Sequence, residues 1–229
     1  YLAVTQAGMY LSPINHHLTA PEIAYIVADS EAKVFLGAER FAAACRGAAD
    51  EIGFPARARF ALGRVEGFRP FAELLAGQPD SLPADRAAGQ VMNYTSGTTG
   101  RPKGVRRALP PIDPDTMAAL GGGFLGLFEV KPEDGNVHLC GSPLYHTAVL
   151  VFAGSSLHLG HSVVLMDRWT PEDTLRLIER HRVTTSHMVP TQFHRLLQLP
   201  AEVRARYDCS STRTMVHAAA PCPPHVERR

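Results

Sequence analysis

The sequence predicts an α/β fold, a mostly parallel sheet with flanking helices, and three observations carry that expectation. Strand-like and helix-like patterns alternate from residue 137 to residue 217. Turn and cap residues separate them at short spacing, as in βαβ units. The composition, 45% hydrophobic and 20% charged over 229 residues, is that of a globular chain able to bury a sizeable core.

The elements follow in order. Residues 1–8 read as the tail of a helix closing on Gly8. Thr19-Ala20-Pro21-Glu22 reads as a capping box with proline just inside the helix start, and Ile23, Ile26, Val27 and Ser30 continue it at helical spacing. A buried strand is expected over 32–36, ended by Gly37, then a helix over 39–51, a weaker strand over 59–62 and a short helix over 71–76. Residues 77–90 are polar and proline-containing, the composition of a linker. Residues 91–94 form a strand, and 113–128 are mostly helical. Strands at 137–140, 162–166, 184–189 and 213–217 then alternate with helices at 147–157, 170–182 and 191–198. This divides the chain into a first segment, 1–80, and a second, 90–229.

Composition excludes some classes of function. The formal net charge is +1 and no basic stripe stands out, so nucleic-acid binding has no electrostatic support. Cys45, Cys140, Cys209 and Cys222 are scattered, with no C-x-x-C pair and no disulfide framework. No apolar run approaches the ~18 residues of a membrane span, and the opening residues carry no leader pattern. A reducing cytoplasm is the expected setting.

The chemistry is concentrated after the 91–94 strand. Thr95, Ser96, Thr98 and Thr99 supply hydroxyls, Gly97, Gly100 and Gly104 supply backbone freedom, and Lys103 supplies a point charge. Hydroxyls donate to phosphate oxygens, and glycines let backbone N–H groups approach an anion. A hydrogen bond to a charged group contributes ~1.5–3 kcal/mol, so several together hold a triphosphate tail. The bland alternative is a Ser/Gly/Thr surface turn. A Walker A loop requires Ser or Thr after the lysine, where this chain has Gly104, and Pro102 disfavours the helix start that Walker lysines occupy.

Two further patterns are rejected. Gly121-Gly122-Gly123-Phe124-Leu125-Gly126 matches G-x-G-x-x-G, but no strand precedes it and no acid follows at the required ~20 residues. These glycines are expected to permit close packing or loosen a helix. His217, Cys222 and His225 fit no zinc spacing, so no metal site is expected there. His16, His17, His158 and His161 are expected at the surface or at strand ends.

The stretch from Met92 to Gly104, Met-Asn-Tyr-Thr-Ser-Gly-Thr-Thr-Gly-Arg-Pro-Lys-Gly, resembles the hallmark motif of the AMP-dependent synthetase/ligase (acyl-adenylate-forming) superfamily. The flanking segments 13–26, Ser142-Pro143-Leu144-Tyr145-His146-Thr147 and Met188-Val189-Pro190-Thr191 resemble its fatty-acyl-CoA synthetase branch. The resemblance covers nearly the whole chain. It implies part of the large N-terminal domain of such an enzyme and a two-step reaction. ATP, with Mg2+, activates a carboxylic acid, here a medium- or long-chain fatty acid, to acyl-AMP and pyrophosphate, and a thiol, usually that of CoA, takes the acyl group.

It also implies roles for named residues. Thr95, Ser96, Gly97, Thr98, Thr99, Gly100 and Lys103 would hold the phosphate tail, and His146 would lie beside the acyl carboxylate and the thiol tunnel. Ala219, Ala220 and Pro221 would meet adenine, although this segment departs from the glycine-rich form common in the superfamily. Met188 and Thr191 would line the acyl pocket; as apolar or strand-end positions they read equally as core. The family's Tyr-Gly-x-Thr-Glu loop, its ribose-binding Asp and its C-terminal domain with a catalytic Lys have no counterpart here. The expectation is therefore a piece truncated at both ends and inactive alone. The alternatives are an adenylation domain of other acid specificity, one feeding a carrier protein among them, or a non-catalytic remnant.

Overall fold

The computed structural model describes residues 1–95, 102–132, 135–218 and 220–222. The chain forms two compact units, one of Ala3–Pro111 and one of Ile112–Arg229 joined by Tyr1–Leu2.

The chain opens with α1 (Leu2–Thr5), and Gly8 follows at φ +65°, the left-handed stop its sequence position predicts. β1 (Tyr10–Leu11) is next, then α2 (Ala20–Asp29), whose entry is fixed when the Thr19 N–H donates to Glu22 Oε2 at 2.8 Å. β2 (Phe35–Ala38), α3 (Ala42–Glu51), β3 (Arg59–Leu62), β4 (Arg69–Pro70) and α4 (Phe71–Leu75) follow. β2, β3 and β4 form a parallel sheet in that order, with Phe35 opposite Arg59 and Ala38 opposite Leu62. That register moves the β2 strand C-terminal to the expected 32–36, and Gly37 lies inside it rather than ending it. A Cβ on Gly37 would sit 3.0 Å from Cys45 Sγ, so the glycine is what lets α3 close on the strand. The expected helix 39–51 begins with a 3-10 turn, Glu39–Phe41, before α3.

The core of this unit is almost wholly apolar: Ile23, Ala24, Val27, Phe35, Ala48, Ala49, Phe54 and Ala61 pack together. One buried charge crosses it. Arg59 donates from Nε to Phe54 O at 2.7 Å, from one terminal nitrogen to Asp50 Oδ1 at 2.6 Å and from the other to Ala49 O at 3.1 Å. It thereby satisfies Phe54 O, just beyond the C-terminal end of α3, and adds a second donor to Ala49 O, which also accepts from the Phe54 N–H at 2.8 Å.

β5 (Gln90–Val91) and β6 (Asn93–Thr95) replace the single strand expected at 91–94. β5 pairs in parallel with β1, Tyr10 opposite Gln90, while β6 pairs antiparallel with β7 (Lys103–Val105), which the sequence reading did not anticipate. Residues 77–90, with linker composition, fall inside this unit.

The second unit holds α5 (Pro114–Gly126), β8 (Val137–Cys140), α6 (Thr147–His158), β9 (Ser162–Leu165), α7 (Pro171–His181), β10 (Thr185–Met188), α8 (Pro190–Leu197), α9 (Ala201–Arg204) and β11 (Thr214–His217). Asp113 caps α5, accepting from the Asp115 and Thr116 N–H groups at 3.0 and 2.9 Å, and Thr170 caps α7, accepting from Asp173 N–H at 3.1 Å. Gly121 and Gly122 do permit close helix packing. A Cβ there would sit 3.0 Å from Ser155 Oγ and 2.7 Å from Leu159 Cδ2.

The four strands form one parallel sheet in the order β11-β10-β8-β9. Alternate residues face opposite layers. Leu139 packs with Ile178 of α7, whereas Cys140 packs with Val149 and Ala153 of α6. So α6 covers one face and α7 the other, as right-handed crossovers demand when the chain steps from β8 to β9 and then back past β8 to β10.

Candidate active site

The antiparallel β6–β7 pair sets Thr95 opposite Lys103, Tyr94 opposite Gly104 and Asn93 opposite Val105. Thr95 and Lys103 are both exposed. Lys103 thus stands on a strand, not at a helix N-terminus, which separates this loop structurally from a Walker A loop. The root of the hairpin is fixed from below. Tyr94 donates its hydroxyl to Asp29 Oδ2 at 2.7 Å, and burial followed by that bond pushes its phenol pKa up. Gly104 is required by the Tyr94 ring, since a Cβ there would lie 2.9 Å from its Cζ. Ser96, Gly97, Thr98, Thr99 and Gly100 lie outside the described residues.

In the second unit the candidate acid-side segments leave neighbouring strands at one edge. Gly141–His146 follows β8, Val189–Thr191 follows β10, and Ala218–Pro221 follows β11, with Met188 opposite His217 in register. In an open parallel sheet, ligands bind outside the carboxyl ends of strands where the winding reverses. That reversal lies between β8 and β10: the chain leaves β8 for α6 on one face and β10 for α8 toward the other. His146 is the residue immediately before α6 and is exposed. Thr191 is exposed in the first turn of α8. Met188 is 0% exposed, packed into the sheet rather than open to a ligand. Ala220 and Pro221 are exposed, and Ala219 lies outside the described residues.

One buried residue that the sequence reading passed over connects these loops. Gln192, 7% exposed, accepts at Oε1 from the Val189 N–H at 3.0 Å and from the Ser142 hydroxyl at 3.2 Å. Its Nε2 donates to Gly141 O at 3.4 Å. The available signal was a glutamine three residues after the residue preceding a Pro-started helix, the position from which a side chain reaches back to the helix entry. Trp169 closes the other side of the same turn: a Cβ on Gly141 would lie 2.8 Å from its Cδ1.

Beneath this edge the sheet is polar. The Phe152 ring stacks on His187 at 4.8 Å between centroids, and His138 lies parallel to it at 6.4 Å. His138 Nδ1 lies 3.0 Å from Thr185 Oγ1, whereas among the described residues neither ring nitrogen of His187 has a hydrogen-bond partner. Burial, and then the neighbouring His187 and His161, pushes the His138 pKa down to about 4. His161 stands at the entry to β9, a strand-end position as expected, but is buried, with Nε2 3.0 Å from Lys131 O. Burial pushes the Cys140 thiol up to about 11, so it is not a thiolate near neutrality. Among the described residues no group of three or more His, Cys, Asp or Glu side chains is placed to hold a metal ion. No helix among them is long and apolar enough to cross a membrane.

Comparison with known proteins agrees with this geometry. A feruloyl-CoA synthase from Amycolatopsis sp is 30% identical over 230 residues, covering 99% of this chain and 42% of that protein. A solved chain described as a long-chain-fatty-acid CoA ligase from Rhodopseudomonas palustris CGA009 superposes with a TM-score of 0.77 at 25% identity, over 99% of this chain and 54% of that one. An ATP-bound RpMatB-BxBclM chimera superposes with a TM-score of 0.68 at 26% identity, over 95% of this chain and 41% of that one. The chain therefore spans about half the length of these proteins or less. The model of the AMP-binding enzyme family matches residues 1–229, and the chain belongs to that family.

Proposed function

We propose that this chain is the phosphate-binding and acid-side part of an acid–thiol ligase that makes an acyl-CoA through an acyl-adenylate. The observation that carries this reading is the hairpin that sets Thr95 opposite Lys103 across a hydroxyl- and glycine-rich loop. In the first step a carboxylate oxygen attacks the α-phosphorus of ATP and the bond to pyrophosphate breaks. Lys103, Thr95 and the hydroxyls of Ser96, Thr98 and Thr99 would hold the departing pyrophosphate. This is positioning and charge stabilisation rather than covalent work. Mg2+ enters as part of the nucleotide substrate. In the second step a thiol sulfur attacks the acyl carbon and AMP leaves. The protonated, buried Cys140 is unsuited to be that thiol, which fits an external one such as CoA.

His146 would stand beside the reacting carboxylate, Thr191 at the rim of the acid pocket with Met188 packed beneath it, and Ala219, Ala220 and Pro221 against adenine. The acid we favour is a medium- or long-chain fatty acid, supported by segments 13–26 and 142–147 and by the similarity to the long-chain ligase structure. The feruloyl-CoA synthase similarity supports an aryl acid as the second reading.

The test is ATP–pyrophosphate exchange by the protein extended to the length of these relatives, across a panel of fatty and hydroxycinnamic acids. Exchange dependent on a fatty acid, followed by CoA thioester formation, is the expected result. Exchange with aryl acids alone would shift the substrate, and no exchange with any acid would remove the ligase reading.

A further inference from the structure

We propose that Gln192 is a positioning residue for the carboxylic acid, clamping the Gly141–His146 turn to the Val189–Thr191 turn across the reversal point of the sheet. The proposal rests on the ligase reading above. The two turns belong to strands that neighbour each other, β8 and β10, yet they run to helices that cover opposite faces, so nothing in the sheet ladder holds them together beyond the last paired residues. Gln192 supplies that tie. Its amide oxygen receives one hydrogen bond from each turn, from Val189 N–H at 3.0 Å and Ser142 O–H at 3.2 Å, while its amide nitrogen donates to Gly141 O at 3.4 Å.

The Val189 bond satisfies an otherwise orphaned donor at the start of α8. The other two bonds satisfy the rest of the buried amide and in doing so cross to the β8–α6 turn, so the two turns share one side chain. Those two bonds fix the strand exit from which the chain runs to His146, itself held as its N–H donates to Pro143 O at 3.1 Å. The clamp is 7% exposed, so water does not compete for its amide. An acid held between His146 and Thr191 would feel any slackening as misplacement, and reactions of this kind are sensitive to displacements of about an ångström.

The proposal is tested with Gln192→Leu, Gln192→Glu and Ser142→Ala in the protein extended to the relatives' length. Exchange kinetics are read separately for acid and ATP, and hydrogen exchange is read at the amides of 141–146 and 189–192. Gln192→Leu should raise the KM for the acid about tenfold, with the KM for ATP within about twofold, through loss of all three bonds. Gln192→Glu keeps the acceptor and loses the donor, and should fall between it and the unsubstituted protein. Ser142→Ala should show a smaller rise in the same direction, and it decides the matter if Gln192→Leu does not fold. Amides in both turns should exchange faster together. Faster exchange in 189–192 alone, or equal losses toward acid and ATP, would overturn the proposal. Coupled loosening in a protein whose unsubstituted form exchanges with no acid would bring down the ligase reading and leave the clamp standing.

Discussion

The two units bury different kinds of interior. Among the described residues of Ala3–Pro111 the buried polar or charged ones are Arg59 and Asn93, set among Ile, Val, Phe and Ala. Among the described residues of the second unit eleven are buried: Asn136, His138, Ser155, Ser156, His161, Thr174, Thr184, Thr185, Ser186, His187 and Gln192. The candidate site residues are attached differently in each. Lys103 and Thr95 stand exposed on paired strands, apart from the apolar core of that unit. The acid-side loops emerge from strands tied by side-chain bonds, Ser186 to Leu139 O at 2.7 Å and Thr184 to Val137 O at 3.1 Å among them. There, stability and site geometry rest on the same hydrogen bonds. A polar interior is costly wherever a partner is missing, but it fixes register more narrowly than apolar contact does.

The contrast can be broken most directly at Arg59. Arg59→Leu should destabilise the first unit by about 3 kcal/mol, because the Phe54 carbonyl loses its side-chain donor at ~1–3 kcal/mol and the half-exposed Asp50 loses a charge-assisted bond, while Ala49 O keeps the Phe54 N–H at 2.8 Å. Urea unfolding of the variant checks it. A loss under about 1 kcal/mol would show that this core tolerates the missing donors.

Acid comes next. The folded state holds the His138 imidazole neutral, with its pKa lowered from 6.5 to about 4, so the unfolded chain binds protons more readily between those values. The stability held above pH ~6.5 is lost as the pH falls toward 4, on the order of 3 kcal/mol from this group. Burial likewise lowers His187, in the same direction. Hydrogen exchange at pH 7 and pH 5 should show β8 and β10 weakening more than α2 and α3. Equal weakening of both units would remove the histidines as its cause.

Lys103→Ala sharpens the comparison from the other side. Loss of one charge-assisted contact of ~1.5–3 kcal/mol should lower exchange kcat/KM for ATP by roughly 10- to 100-fold. The melting temperature should be unmoved, because the side chain is exposed. The smallest effect concerns α5. Gly123→Ala, with open space around its Cβ, should stabilise by about 0.8 kcal/mol, while Gly122→Ala should not, because Leu159 Cδ2 stands 2.7 Å away. Thermal melts of the two variants distinguish them.

Much of this was legible in the residues. The 59–62 and 137–140 strands form over the expected residues, and Thr170 caps its helix where its sequence position implies. The return strand β7 was not, because Pro102, Lys103 and Gly104 are poor strand formers and Val105 is the one favourable residue. Its pairing comes from β6. β1, two residues long, exists only through a partner distant in sequence, Tyr10 pairing with Gln90. The single strand expected at 91–94 divides at Met92 because its two ends pair with different strands. His138 was visible as a polar residue in an otherwise apolar strand, whereas His187 and Gln192 lie among other polar residues. The partners of His138 and Gln192, on other strands and loops, were not visible.

The pairing of Thr95 with Lys103 has a consequence for how this chain tolerates change. Sheet formation has already drawn together the two ends of the seven-residue stretch 96–102, so the entropy of closing that loop is carried by the β6–β7 ladder and not by whatever the loop grips. Substitutions that weaken the β6–β7 pairs would return that cost to the loop, wherever along the ladder they fall.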